Sequence, residues 1–495
     1  MASPLEPLLL GIDVGTSYVK ALLATPAGSI VACAQISYPT DYPRPGWVEQ
    51  DPHDWWDAVV QVTRTVTAEY VDAVAAIAVS GQGCAVTLVD AQGEVLHPAI
   101  IWMDSRAEPQ CEALRKRSGA AILRINGKSP APYNADPVLL WLQEHLPSVL
   151  LAARTSLTTT GYINLRLTGR PVVNASDASI LFAFDLAAGD WSPELLKAFG
   201  LPRHLYPEVA SCTEVIGGLT ETAAAALGLK AGTPVVAGGE DTSSAGLASG
   251  ATEPGIAFLS LGTAGTLNVT EARPLVHPQL LTFLHVLPKQ YLVGGSMIAI
   301  GAALAWLRDI LGSALSYNEL TALAAQSDLG AGRVLFLPYL SGELQPINDG
   351  YARGAFFGLS LSTGRADLVR AVLEGTAYAI AHNLSYAEDL SAPIHEIRAT
   401  GGPTRSPLWC QIIADVCGRP LLVVEDGGAP LGNALLAGAG IGLISNLPTV
   451  AKAVSLVRQV YAPDPYKHEH YRRLHAIYKE IHPRMQDLSA ALARG

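Results

Sequence analysis

Leu8-Leu9-Leu10-Gly11-Ile12-Asp13-Val14-Gly15-Thr16-Ser17 is an apolar run with a carboxylate near its end, followed by a glycine-led turn carrying two hydroxyls. The composition predicts a strand entering a tight turn. A second extended run at 18–25 and a third at 30–38 continue the pattern. Far downstream it returns: residues 255–261 are apolar, Gly262-Thr263-Ala264-Gly265 turns, and 266–270 is extended again. A repeat spaced by half a chain length points to duplicated domains rather than a solenoid. The fold expected is α/β, with one domain over 1–248 and the other over 249–495. A length of 495 residues, more than one hydrophobic core usually supports, agrees. Helical stretches at 302–311, 367–383 and 408–417 alternate with strands, as an α/β chain requires. Asp51-Pro52 is placed to cap a helix in which Trp55 and Trp56 read as packing aromatics.

Composition excludes several classes. Charged residues are 16% of the chain and its net charge is −11, with no Lys/Arg run to form a nucleic-acid stripe. Six scattered cysteines without a Cys-x-x-Cys pair read as reduced thiols. Residues 1–10 do not read as a signal peptide, and no apolar stretch is long enough to span a membrane. The richest stretch, 434–444, contains three glycines. A soluble, cytoplasmic protein is expected, acting on small molecules, with a homodimer left open.

The chemistry concentrates in three glycine turns. In the first, Gly15 lets the backbone approach an anion, Thr16 and Ser17 add hydroxyls, and Asp13 is placed to reach a metal ion directly or through water. Gly262 and Thr263 repeat the motif. The third, Gly401-Gly402 running to Ser406 and a helix from Pro407, leaves room for a flat ring or a phosphate against the backbone. Val235-Val236-Ala237-Gly238-Gly239-Glu240-Asp241 delivers a carboxylate through two glycines to the domain boundary. Asp241 has two readings: a catalytic base, or the N-cap of a helix beginning near Thr242.

Together these stretches resemble the FGGY carbohydrate kinases, which share the ribonuclease H-like fold of actin, hexokinase and the heat-shock ATPases, two such domains facing a central cleft. Gly46-Trp47-Val48-Glu49-Gln50-Asp51-Pro52, Trp102 with Asp104 and Arg106, and Leu337-Pro338-Tyr339-Leu340-Ser341-Gly342-Glu343 carry the likeness, nearest to its xylulokinase branch. The run from Arg353 to Gly375 is similar to the family's C-terminal signature. The resemblance implies ATP with Mg²⁺ as cofactors and a small sugar as acceptor. It assigns Asp241 as the base, and Asp13 to the Mg²⁺–nucleotide. Gly15, Thr16, Ser17, Gly262 and Thr263 then fall to the phosphates, and Gly401, Gly402 and Ser406 to the adenosine end. Gln82, Gly83, Cys84, Trp102, Asp104 and Thr242 fall with Asp241 at the sugar.

Departures fall in the sugar pocket. Gly83-Cys84 stands where the branch usually has Met-His, Thr242 stands for Asn, Glu240 for Gly, and Val138 for a lysine. The reaction implied is D-xylulose to D-xylulose 5-phosphate. L-xylulose, ribulose or a tetritol are alternative acceptors, and a non-catalytic, actin-like or sugar-sensing relative is the alternative from another class. Cys84 is either an accessible, reactive thiol beside a glycine or one more buried cysteine. Asp177 reads as a turn former, and His468, His470, His475 and His482 as residues of a solvated C-terminal helix.

Overall fold

Leu8–Val14 is buried along almost its whole length, so it needs a partner on each edge and cover on each face. In the computed structural model, which describes residues 6–312, 314–425 and 427–494, it has all of these. It pairs antiparallel with Tyr18–Ala24 and parallel with Val74–Gly81. Tyr18–Ala24 pairs antiparallel with Ile30–Ser37, and Val74–Gly81 pairs parallel with Pro234–Val236, which carries Val215–Gly218 as an antiparallel edge. Helix Pro52–Thr67, capped by Asp51 on the His53 N–H, buries Trp55, Trp56, Val59 and Val62.

The second half of the chain builds a sheet of similar order with one strand more. Strands Leu281–Leu284, Tyr291–Met297, Gly265–Glu271, Ile256–Leu261, Glu396–Thr400, Leu421–Val424 and Val457–Tyr461 are neighbours in that order. Ile256–Leu261 is antiparallel to Gly265–Glu271 and parallel to Glu396–Thr400, and the last strand is again an antiparallel edge. The repeat seen in two turns therefore extends to strand order, and to direction from Gly265–Glu271 through Val457–Tyr461.

Compactness does not follow chain order. The first unit comprises Met1–Thr252, Thr282–Tyr291 and Gly427–Ser455; the second comprises Glu253–Leu281, Leu292–Asp426 and Leu456–Gly495. The sequence gives no sign that 282–291 and 427–455 return to the first unit. Helix Gly428–Gly440 lies on the first strand so closely that a Cβ on Gly11 would stand 1.8 Å from the Pro430 carbonyl oxygen. A Cβ on Gly432 would stand 2.0 Å from the Ser244 carbonyl oxygen. Glycine on both faces is what lets backbone meet backbone here.

Candidate functional site

In the first unit the Gly15-Thr16 turn closes through a bond from the Gly15 N–H to the Tyr18 carbonyl at 3.2 Å. The Tyr38 hydroxyl donates to the Gly15 carbonyl and Gln50 Nε2 donates to the Thr16 carbonyl at 2.8 Å. With both carbonyls turned to protein donors, the turn presents N–H and hydroxyl groups, the chemistry an anion needs.

Asp13, two residues before Gly15 on the strand, is held by a relay. Asn433, fully buried on helix Gly428–Gly440, donates to the Ile12 carbonyl at 2.8 Å and to Ser80 Oγ at 2.7 Å. Ser80 in turn donates to Asp13 Oδ1 at 2.7 Å, and Ser244 donates to Asn433 Oδ1 at 3.0 Å. Loss of water and the negative charge of Asp241 push the Asp13 carboxyl well above its usual range, against the Ser80 bond and the Lys20 charge. A carboxylate so destabilised fits a divalent cation, which would restore its charged form.

Asp241 opens helix Asp241–Ala248, but it is not the cap. Glu240 is: its Oε2 accepts the Ser243 N–H at 2.7 Å. Asp241 accepts from the Thr242 N–H and hydroxyl at 2.5 and 3.0 Å. The capping alternative thus passes to its neighbour. Burial first, then the Asp241 charge, drives the Glu240 carboxyl far above its usual range, in the direction of its uncharged form. Asp177 belongs to the same acidic corner rather than to a loop. It lies on helix Ala175–Ile180, buried, its carboxyl pushed up to about 8 by burial, with the Asp241 charge adding to the effect.

The residues expected at the sugar divide. Trp102 is 42% exposed and its indole N–H donates to Thr16 Oγ1 at 2.9 Å, so it touches the Gly15-Thr16 turn directly. Gln82 is buried and donates through Nε2 to Gln50 Oε1 at 2.7 Å. Asp104 is buried, accepting from the Val48 N–H at 2.6 Å and forking with Arg106. Gly83 packs beside Ile180. Cys84 is not accessible: it is buried, receives Asn134 Nδ2 at 3.7 Å, and burial raises its thiol pKa, so the reactive reading is set aside.

In the second unit the Gly262-Thr263 turn is fixed by helix Gly301–Leu311, the Gly301 N–H reaching the Gly262 carbonyl at 3.0 Å and the Ala302 N–H reaching the Thr263 carbonyl at 3.0 Å. A cavity of about 780 Å³ opens beside it, lined by Gly262, Thr263, Gly402, Ser406, Tyr317 and Trp409. Gly401 has φ 99°, and a Cβ there would sit 1.9 Å from the Leu261 carbonyl oxygen, so it holds the loop against its strand. At Gly402 nothing lies within 4 Å of a Cβ, leaving open space on the cavity wall. Ser406 Oγ also caps helix Pro407–Cys417 through the Trp409 N–H. A cavity with a glycine floor, an aromatic wall and a hydroxyl-bearing turn suits a nucleotide.

The C-terminal helix Pro465–Arg494 is not solvated on every face. His475 stacks on the Tyr378 ring at 5.8 Å, His482 Nε2 lies 3.5 Å from Asp349 Oδ2, and His468 Nδ1 lies 2.9 Å from the Asp415 carbonyl. Sequence reasoning misses Ser80, Gln50 and Asn433. For Asn433 the available signal is a polar residue amid a run of small residues that looks like a short apolar span.

The profile of the FGGY family of carbohydrate kinases, N-terminal domain, matches residues 8–248, and that of its C-terminal domain matches 257–441. Xylulose kinase of Escherichia coli (strain K12) is 33% identical over 488 residues, covering 98% of this chain and 100% of the relative. Glycerol kinase of Gloeobacter violaceus is 34% identical, over 83% of this chain and 84% of its own. The crystal structure of xylulose kinase from Rhodospirillum rubrum is 33% identical, with a TM-score of 0.92 over 97% of this chain and 99% of that one. The α/β architecture is thus the two-domain, actin- and hexokinase-like one of the sugar kinases. Among the described residues no helix is long and apolar enough to cross a membrane.

Proposed function

Because this chain belongs to the FGGY family of carbohydrate kinases, we propose that it phosphorylates a ketopentose, D-xylulose to D-xylulose 5-phosphate, with ATP as donor. The observation that carries the reading is Asp241, freed from helix capping by Glu240 and close enough that its charge raises the Asp13 carboxyl. Full-length similarity to proteins named xylulose kinase supports the choice of sugar.

Phosphoryl transfer to an alcohol needs placement, charge neutralisation and an acceptor for the hydroxyl proton. Asp241 takes that proton as general base. Glu240 keeps the helix start in place without adding a second negative charge. Thr16, Ser17 and the N–H groups of their turn hold phosphate oxygens in the first unit, while Gly262 and Thr263 do so in the second. Gly402, Ser406, Tyr317 and Trp409 receive the nucleoside. Mg²⁺, when bound at Asp13, supplies neutralisation of phosphate charge. Trp102 and the 82–84 loop border the sugar, and all the work is done in a reducing cytoplasm that keeps the six thiols free.

The test is sugar-dependent ADP release across a panel of D-xylulose, L-xylulose, ribulose, tetritols and glycerol. Stimulation by D-xylulose above all others is the expected result. A better acceptor elsewhere in the panel replaces the sugar and keeps the enzyme class, and no stimulation by any of them removes the reading.

A further inference from the structure

Thr16 is gripped by two side chains that only donate to it. The indole N–H of Trp102 points at its hydroxyl oxygen at 2.9 Å, and Gln50 Nε2 points at its carbonyl at 2.8 Å. An indole nitrogen has no acceptor capacity, so the Thr16 hydroxyl must receive this bond and keep its own hydrogen for another partner. Among the described residues no protein acceptor takes that hydrogen, and Thr16 is only half-buried.

The sense of the Gln50 amide is equally forced. Its oxygen accepts from the Trp55 indole at 2.9 Å and from Gln82 Nε2 at 2.7 Å, while its nitrogen serves the Thr16 carbonyl and Thr40 Oγ1, the latter at 2.7 Å. Trp55 is donor-only and a backbone carbonyl is acceptor-only, so a flipped amide loses bonds at both ends. Gln50 is buried and saturated, and it links the 82–84 loop to the phosphate turn through one rigid group.

We propose that Trp102 and Gln50 are positioning residues that preset Thr16 as a one-way hydrogen-bond donor to a nucleotide phosphate oxygen, and that Gln50 transmits this alignment to the sugar loop through Gln82. The inference rests on reading Thr16 as a phosphate contact. It adds that a residue on the sugar side governs nucleotide binding, so occupancy of the two substrates is coupled through Thr16.

The experiment measures, by calorimetry, the Kd of the Mg²⁺ complex of a non-hydrolysable ATP analogue, together with the kcat and KM of sugar-dependent ADP release. The proteins are wild type, Trp102→Phe, Thr16→Val, their double variant, and Gln50→Glu. Trp102→Phe keeps an aromatic ring at a part-exposed position and should fold. Its analogue Kd should rise roughly three- to tenfold, the effect of one neutral hydrogen bond. In the Thr16→Val background the same change should do nothing, because the hydroxyl through which Trp102 acts is gone. Gln50→Glu keeps the acceptor for Trp55 and Gln82 but sets an oxygen against the Thr16 carbonyl, so it should raise KM for nucleotide and for sugar alike. An unchanged Kd in Trp102→Phe, or an equal loss in both Thr16 backgrounds, overturns the proposal. Failure of the kinase reading looks different: the wild type itself then binds no analogue and shows no sugar-dependent turnover.

Discussion

Replacing Asp241 with Asn should abolish turnover while leaving the fold slightly more stable. Asn keeps the shape and can still accept the Thr242 N–H, and the helix cap belongs to Glu240, whose bond to the Ser243 N–H is untouched. What vanishes is a negative charge that raises Asp13, Asp177 and Glu240. At each of these desolvation is the larger cause, so only a minor part of each carboxyl's destabilisation is relieved. A pKa displaced by one pH unit corresponds to about 1.4 kcal/mol, which puts the relief on the order of 1 kcal/mol. That corresponds to a Tm higher by roughly 2–4 °C for a domain of this size. The catalytic loss is of another scale. Without a proton acceptor kcat should fall roughly 10²–10⁴-fold, or about 3–5 kcal/mol of barrier. Nucleotide Kd should stay level or tighten, since one repelling charge has left the neighbourhood of Asp13. Coupled ADP release, calorimetry with an ATP analogue, and thermal melts on one preparation give the three numbers. A kcat within tenfold of wild type would falsify the base assignment. A Tm lowered by several degrees would show that Asp241 supports the helix start after all.

Glu240→Gln tests the burial of this carboxyl directly: an amide is the isostere of the uncharged form that burial favours, so kcat should stay within a few-fold, whereas a loss beyond tenfold in the same assay shows that Glu240 works ionised. Gly11→Ala drives a Cβ into the Pro430 carbonyl and should cost about 3 kcal/mol or more in urea unfolding, and an unchanged midpoint would mean that helix Gly428–Gly440 does not sit on the first strand. Acid should weaken the second unit through His382 and His475, whose pKa values burial lowers to about 3 and about 4. The unfolded chain binds these protons near pH 6.5 and the folded unit does not, so their contribution is whole above that pH and is lost as pH falls towards 4. At pH 5 each amounts to about 2 kcal/mol. Glu343, pushed up to about 7 by burial, acts in the opposite sense, so the quantity to measure is the stability gap between wild type and His475→Phe at pH 7 and pH 5. That gap should move by about 2 kcal/mol in favour of the variant, and a gap independent of pH refutes the burial argument.

The parts of this protein that are legible in its sequence are those whose physics is local. A strand ending in a glycine turn must close on the next few residues, and both Gly-Thr hairpins do, with Asp13 opposite Lys20 and Leu261 opposite Gly265. The Asp51-Pro52 cap and the Ser406 cap involve neighbours two or three residues away and are readable on the same grounds. Asp177, read as a turn former, lies on a helix capped by its neighbour Asn174, but the other departures turn on partners brought from far along the chain. Cys84 looks open beside Gly83 until Asn134 covers it, and the C-terminal histidines look solvated until Tyr378 and Asp349 pack on them. Asn433 shows why this limit falls hardest on the site. It reaches Ile12 across most of the chain's length, and the glycines around it, which weaken a helix on its own, are what allow that helix to approach. Local propensity therefore argues against the element that orients Asp13. Asp13 is held by groups that do not titrate with it, a buried amide and a serine hydroxyl, and these leave no charge pattern to read. The ionisable members of such a site announce themselves in sequence, while the neutral groups that aim them appear only when the fold brings them together.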